Sequence, residues 1–241
     1  MDRMIYLSMS GAKATMQRQD VLANNLANAS TTGFRAELQA FRAVPVRGDG
    51  ASTRVYALET TTGYDPAAGP AQQTGRPLDV ALQGNAWLAV QGFDGTEAYT
   101  RMGSLQVDAE GTLMTSGGRT VLGDGGPIQL PIDSTPQIAA DGTVTVRQPN
   151  GSMTPVGRLK LVTPEAPLSR GDDGLFRASE GDLPADPNAR LQDGALEGSN
   201  VNPIENMVAM IAAARQFEAQ MKMLQTAEKD EQSAGQLLSL G

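Results

Sequence analysis

The densest pair of groups able to do acid–base chemistry is Asp172-Asp173, set in Arg170-Gly-Asp-Asp-Gly174. Two carboxylates working without an imidazole suit glycoside hydrolysis, where two acids flank the scissile bond. Adjacent side chains of one loop point apart, however, and the sequence matches no second acid to either. The segment reads as a polar turn between strands. The chain has no cysteine and no histidine, which removes the common zinc sites, cysteine nucleophiles and any triad or general base built on imidazole. Gly123-Asp-Gly-Gly126 lacks the lysine and following helix of a phosphate loop. Asp94-Gly95-Thr96, Glu110-Gly111-Thr112 and Asp141-Gly142-Thr143 fit hairpin turns, because calcium-binding β-roll repeats recur every nine residues and these do not. No catalytic, cofactor-binding or metal-binding residue is expected, and no cofactor.

One polar constellation resists that account. Asn24, Asn25 and Asn28 crowd the segment from Ala23 to Arg35, although asparagine is a mediocre helix former. They mark either a solvated, fraying helix end or hydrogen bonds made to adjacent subunits at fixed positions. Asn28-Ala-Ser30 and Asn150-Gly-Ser152 also match the glycosylation sequon, a short pattern with many chance matches.

The elements that hold these groups are two terminal helices and a β-rich centre. Ile5, Met9, Ala12, Met16, Ala23 and Leu26 alternate in steps of four and three, with Gln19 in the skipped slot. Met207, Met210, Ala214, Phe217, Met221 and Leu224 repeat the alternation near the other end. Both patterns are coiled-coil seams that one helix cannot bury alone, so the two segments are expected to pack on each other or on their equivalents in a neighbouring subunit. Leu7, Ala14 and Val21 give the first helix a second apolar face, which implies surrounding protein. That helix is expected to run from Asp2 to the Asn28–Thr32 region and to stop at Gly33. The last is expected to start with Asn202 as N-cap, Pro203 first and Glu205 third, and to reach about Glu231.

Between Phe34 and Pro77 the signal is weak, with short extended candidates at Phe41–Val46 and Thr53–Thr60. Strands are predicted at Leu78–Leu82, Ala86–Gln91, Ala98–Met102, Leu105–Asp108, Thr112–Thr115, Thr143–Arg147 and Val156–Val162. The 27 glycines and 14 prolines, concentrated between the helices, support a turn-rich β centre. The fold class is α+β, with terminal helices packed as a coiled coil, a central all-β domain and an extended arm. Its divisions are 1–33 (helix), 34–77 (arm), 78–196 (β-rich domain) and 197–241 (helix).

A net charge of −8 without basic runs disfavours nucleic acid and anionic membranes as partners. No window approaches the length of a membrane span, so no membrane insertion is expected. Arg3, Lys13, Arg18 and Asp20 interrupt any cleavable secretory signal.

Asn24-Asn25-Leu26-Ala27-Asn28 followed by Thr32-Gly33-Phe34-Arg35 resembles the N-terminal signature of the flagellar rod and hook proteins. Leu196-Glu-Gly-Ser-Asn-Val201, followed by Met210-Ile211, Arg215, Phe217-Glu218 and Lys222, is similar to their C-terminal signature. Gly84-Asn-Ala-Trp-Leu-Ala-Val90 with Tyr99-Thr-Arg101, Gly103 and Gly111 resembles the family's β domain, with Trp87-Leu88 where a bulky aromatic pair is usual. Met1-Asp-Arg-Met-Ile-Tyr6, Arg76–Leu82, Gly157–Val162 and Arg170–Phe176 are most similar to the proximal-rod branch, with the distal-rod branch next. The resemblance implies a structural subunit of the basal-body rod that is not an enzyme. It also implies export by the flagellar type III apparatus without cleavage, and helical polymerisation across the periplasm with copies of itself and neighbouring rod proteins. The interface residues it implies are those of the two seams together with Asn24, Asn25, Asn28, Gly33, Phe34, Asn200 and Ile211.

Overall fold

In the computed structural model, which describes residues 2–45, 55–132, 134–148 and 151–239, two units interleave along the sequence. Residues 1–29, 36–65 and 201–241 form a helical unit, and residues 30–35 and 66–200 a β-rich unit. Val46, Thr53 and Asn150 lie outside the described residues.

The helical unit holds helix α1 (Asp2–Ala27), an antiparallel hairpin of β1 (Glu37–Pro45) and β2 (Val55–Tyr64), and helix α2 (Pro203–Ser239). α1 ends before Gly33. The Asn28 amide and its Nδ2 both donate to the Asn24 carbonyl, and the Ala29 amide donates to Leu26 three residues back. Satisfying those last acceptors locally tightens and closes the helix. α2 begins where the cap predicts, since Asn202 Oδ1 accepts the amides of Ile204 (3.1 Å) and Glu205 (3.3 Å). It passes Glu231 and runs through Gly235 to Ser239, 37 residues in all, a rod of about 55 Å. Gly235 stays helical, at a cost of about 1 kcal/mol relative to alanine, too little to end so long a helix.

The helices pack lengthwise, with Gly11 against Gln220, where an added Cβ would lie 3.0 Å from the Gln220 side chain. Their buried stripes keep the three–four spacing but differ from the expected seams at alternate positions. On α1, Ser8, Ala12 and Thr15 are buried, and Ile5, Gln19, Leu22 and Leu26 half-buried; Met9 and Met16 are each 57% exposed, and Ala23 is exposed. On α2, Ala213 is buried, and Asn206, Met210, Ala214, Phe217, Gln220 and Leu224 are half-buried, while Met207 and Met221 are exposed. Three positions on each helix slip one residue toward the N-terminus. Small side chains explain the choice: Ser8, Gly11, Ala12, Thr15 and Ala213 allow close approach, and Thr15 Oγ1 donates to the Gly11 carbonyl at 2.8 Å, so its burial leaves no hydroxyl unpaired. Leu7, Ala14 and Val21 are half-buried, and α1 also contacts both hairpin strands, so one chain covers more than one side of this helix.

Of the 34–77 stretch, residues 36–65 carry the hairpin, which has a register shift between Ala40 and Phe41, and residues 66–77 belong to the β-rich unit. That unit contains β3 (Ala71–Gln73), β4 (Val80–Leu82), β5 (Trp87–Gln91), β6 (Glu97–Thr100), β7 (Leu105–Val107), β8 (Leu113–Thr115) and β9 (Thr120–Gly123). One sheet runs β7-β8-β9-β5-β6 and continues through short strands at 176–177 and 169–170; strands 135–138, 143–147 and 153–158 make a second. β4 pairs with 191–193 and β3 with 195–197, so the returning chain closes on the earliest strands. Val80, Leu88, Val90, Leu105, Leu113, Val121, Val144, Leu161 and Leu191 are buried in one core. Each predicted strand is found, Thr143–Arg147 with the same ends and the others with an end shifted by a few residues, the last as two strands.

Acidic turns tie this framework together. Asp94 Oδ1 accepts the Thr96 amide, and Asp141 Oδ1 that of Thr143. In the third turn Asp108, not Glu110, supplies the acceptor, taking the amides of Glu110 and Thr112.

Candidate functional site

The two signature segments meet inside the β-rich unit. Gly33 has φ +70°, and an added Cβ would fall 2.3 Å from the Arg101 carbonyl carbon. Its role is close approach to another backbone, not termination of α1. The Gly33 amide donates to the Glu197 carbonyl at 2.8 Å, and the Phe34 carbonyl accepts from the Asn200 amide. Phe34 is buried with the Arg170 guanidinium 4.4 Å from its ring centre, and Arg170 Nη1 donates to the Arg35 carbonyl. Arg170 also lies over Phe176, whose ring packs at 4.7 Å on Trp87.

Beneath this stack sits a buried ionic node. Glu197 Oε1 meets Arg35 Nη1 at 2.6 Å and accepts the Gly69 amide at 3.0 Å, while Oε2 takes Arg101 Nε at 2.7 Å. Arg101 further donates to the carbonyls of Leu82, Gly84 and Ala86. Every N–H of its guanidinium is used, which is what makes burial of this charge tolerable. Burial pulls the Arg101 pKa below the usual guanidinium range and Arg35 adds to that, against the opposing pull of Glu197. Arg35 Nη1 and Asn200 Nδ2 both donate to the Ala67 carbonyl. The node thus holds the point where the chain enters the β-rich unit to the point where it leaves.

The asparagines divide their labour. Asn25, buried, grips the first hairpin residue with both amide atoms: Nδ2 donates to the Glu37 carbonyl at 3.0 Å and Oδ1 accepts the Glu37 amide at 2.8 Å. Asn24 is exposed, and Asn28 Nδ2 donates to its Oδ1. Gly33, Phe34 and Asn25 are therefore engaged within the chain. Met9, Met16, Ala23, Asn24, Met207, Ile211 and Met221 are exposed, and the other seam residues, Ile5, Ala12, Leu26, Met210, Ala214, Phe217 and Leu224, lie on or beside the packed faces.

Arg101 and Glu197 are the residues that spacing alone does not single out. Their signal is chemical: an arginine directly after the strand Glu97–Thr100, and a glutamate between Leu196 and Gly198. The Asp172-Asp173 pair is a turn, in which Asp173 accepts from Arg177 Nη1 and Nη2 and from the Leu175 amide. Its carboxyl is held below the usual range chiefly by Arg177. Among the described residues no group of three or more acids forms a metal cluster, and no helix is long and apolar enough to cross a membrane.

Terminal helices paired in one unit with apolar stripes left outward, and a β-rich second unit tied internally by buried charge, define an assembly subunit. Family comparison agrees over three segments: residues 5–35 match the flagella basal body rod protein family, 81–146 the flagellar hook protein FlgE/F/G D1 domain, and 192–237 the flagellar basal body rod FlgEFG protein C-terminal region. The chain belongs to the flagellar basal-body rod proteins, a family of structural subunits and not of enzymes, which places it in the basal-body rod. It is similar to the flagellar basal-body rod protein FlgF of Salmonella typhimurium, 50% identical over 251 residues and 100% of both chains, and to FlgF of Escherichia coli K12, 49% identical over the same length. FlgG of Bacillus subtilis is 31% identical, covering 94% of this chain and 96% of its own.

Proposed function

We propose that this chain is a proximal-rod subunit that polymerises helically through its terminal helices, in coiled-coil contacts with copies of itself and with neighbouring rod proteins. The observation that carries the reading is the second apolar stripe on helices that have already packed together. Met9 and Met16 on α1, and Ile204, Met207, Val208 and Ile211 on the opening turns of α2, are all at least half exposed. The α2 residues recur at the i, i+3, i+4, i+7 spacing of one helix face, which is how a helix presents anchors to another helix. Flexible methionines suit a surface that must fit several slightly different neighbours. Torque then passes through buried knobs and holes between subunits, which resist shear directionally. Of the 34–77 stretch, the 36–65 hairpin bridges subunits as an arm, and export runs through the flagellar type III apparatus without cleavage. The 50% identity to FlgF against 31% to FlgG supports the proximal over the distal position.

The absence of native cysteine makes the test clean. Met9→Cys and Met207→Cys chains, expressed singly and together in motile cells, are treated with a short bis-maleimide and basal bodies are purified. Crosslinked dimers are expected. Only uncrosslinked chain in intact rods would refute the placement of these stripes between subunits.

A further inference from the structure

We infer that the β-rich unit carries a peptide-recognition site for the sequence Gly-Phe-Arg, filled in this structure by the chain's own Gly33–Arg35, and that the site accepts the same segment from a second molecule. The inference does not depend on the assignment to the rod.

The segment is held as a turn, with Gly33 at φ +70° and the Phe34 amide donating to the Thr31 carbonyl, and its contacts to the unit are of the kinds by which proteins read a short peptide: main-chain bonds for affinity and side-chain pockets for specificity. The Gly33 amide bonds the backbone of Glu197, at the end of the strand 195–197, and the Phe34 carbonyl that of Asn200, just beyond it. Phe34 lies under Arg170, and Arg35 is bound by the Glu197 carboxylate and the Ala67 carbonyl. The glycine position is read by shape, because a Cβ would fall within 2.6 Å of three backbone atoms of Arg101 and Met102. The segment is also an insertion: residues 30–35 belong to the β-rich unit, while the residues on either side belong to the helical unit. Nothing but chain continuity makes this occupant the cis one. A second copy offers identical chemistry, which is the condition for exchange of an element between protomers. The cis segment holds the site by an effective concentration on the millimolar scale, a level that neighbours in a dense assembly also reach.

The probe is the synthetic peptide Ser-Thr-Thr-Gly-Phe-Arg-Ala, blocked at both ends and fluorescently labelled. The receptor is the full-length chain carrying Phe34→Ala and Arg35→Ala, which empties the pockets without altering Glu197, Arg101 or Arg170. Saturable binding is expected by anisotropy, at least tenfold tighter than to the wild-type chain. A peptide with alanine in place of its arginine should bind at least about thirtyfold more weakly, the effect of removing one partner of a buried charge pair. If the double variant is unfolded by itself, the readout becomes recovery of circular dichroism and of Trp87 fluorescence on adding peptide. Independently, mixing an Arg35→Ala chain with a Glu197→Ala chain leaves one sound segment and one sound site, so a mixed dimer should form with a thermal transition above that of either chain alone. Failure of peptide to bind or refold the double variant at millimolar concentration, or equal binding of the arginine-less peptide, would overturn the peptide site. A mixture that melts as its separate components would overturn exchange between molecules.

Discussion

Gly33→Ala should destabilise the β-rich unit far more than an ordinary loop substitution. The new Cβ would stand 2.3 and 2.4 Å from the carbonyl carbon and oxygen of Arg101 and 2.6 Å from the Met102 nitrogen. These are backbone atoms, so no rotamer change relieves them. Forcing extra atoms into close packing costs about 1–3 kcal/mol, and holding an L-residue at φ +70° adds about 1–2 kcal/mol. The sum is about 2–5 kcal/mol, or a fall in Tm of about 4–20 °C for a chain of this size. Trp87 is the sole tryptophan, 2% exposed and packed on Phe176, so its fluorescence reports unfolding of this unit during a thermal ramp. Gly75→Ala is the control: its φ is +71°, but its added Cβ meets nothing within 4 Å, so it should lose only the smaller backbone cost. Equal melting of the two variants would refute the close-approach role. The reading of Gly33 as a helix stop makes the opposite prediction, impaired assembly with an intact β-rich unit.

Other consequences separate folding from assembly. Glu197→Gln leaves Arg35 and Arg101 buried without their anion and should cost about 3–5 kcal/mol, measured by urea denaturation; a loss under 1 kcal/mol would count against the node. Asn25→Ala removes both bonds to Glu37 and should speed hydrogen exchange at Glu37 and along β1 while the melting of the β-rich unit stays unchanged. Ile211→Asp, at a site 56% exposed, should leave the subunit's Tm within a degree or two of wild type and abolish swimming in cells that carry only the variant. Normal swarm diameters would remove Ile211 from the interface. Asp94, Asp141 and Asp173 have folded pKa values lowered by hydrogen bonds from Thr96, Thr143 and Arg177 respectively. Depressed carboxylates contribute stability that is present above the unfolded value of about 3.9 and is lost as pH falls through their lower folded values. Tm should therefore be insensitive to these groups at neutral pH and drop below about pH 4, with a smaller drop in Asp173→Asn; an identical acid profile for that variant would contradict the role given to Arg177.

Features made by neighbours in the chain were legible without coordinates. Asn202, Pro203 and Glu205 mark the start of α2 because a cap joins residues within one turn, and the aspartate–glycine turns were readable for the same reason. Seven strand positions between Leu78 and Val162 followed from apolar runs between those turns, whereas β9 and the strand at 135–138 were missed because their runs are short and broken by polar residues; the family signatures followed from motifs at both ends. The phase of the helix seams was not legible. Spacing sets the period of a stripe, but α1 and α2 each carry two overlapping stripes, one small and one of long side chains, and only packing decides which is buried. The helix of least separation won, so Ser8, Thr15 and Ala213 went inside and Met9, Met16 and Met207 stayed out. The node was equally hidden, since Arg101 and Glu197 stand 96 positions apart and no local pattern predicts which buried arginine will meet which acid. Composition and order of residues determined what the elements would be and where most of them begin. Tertiary structure decided which charges pair and which faces remain for a neighbour, because both depend on distances that exist only after the chain has closed on itself.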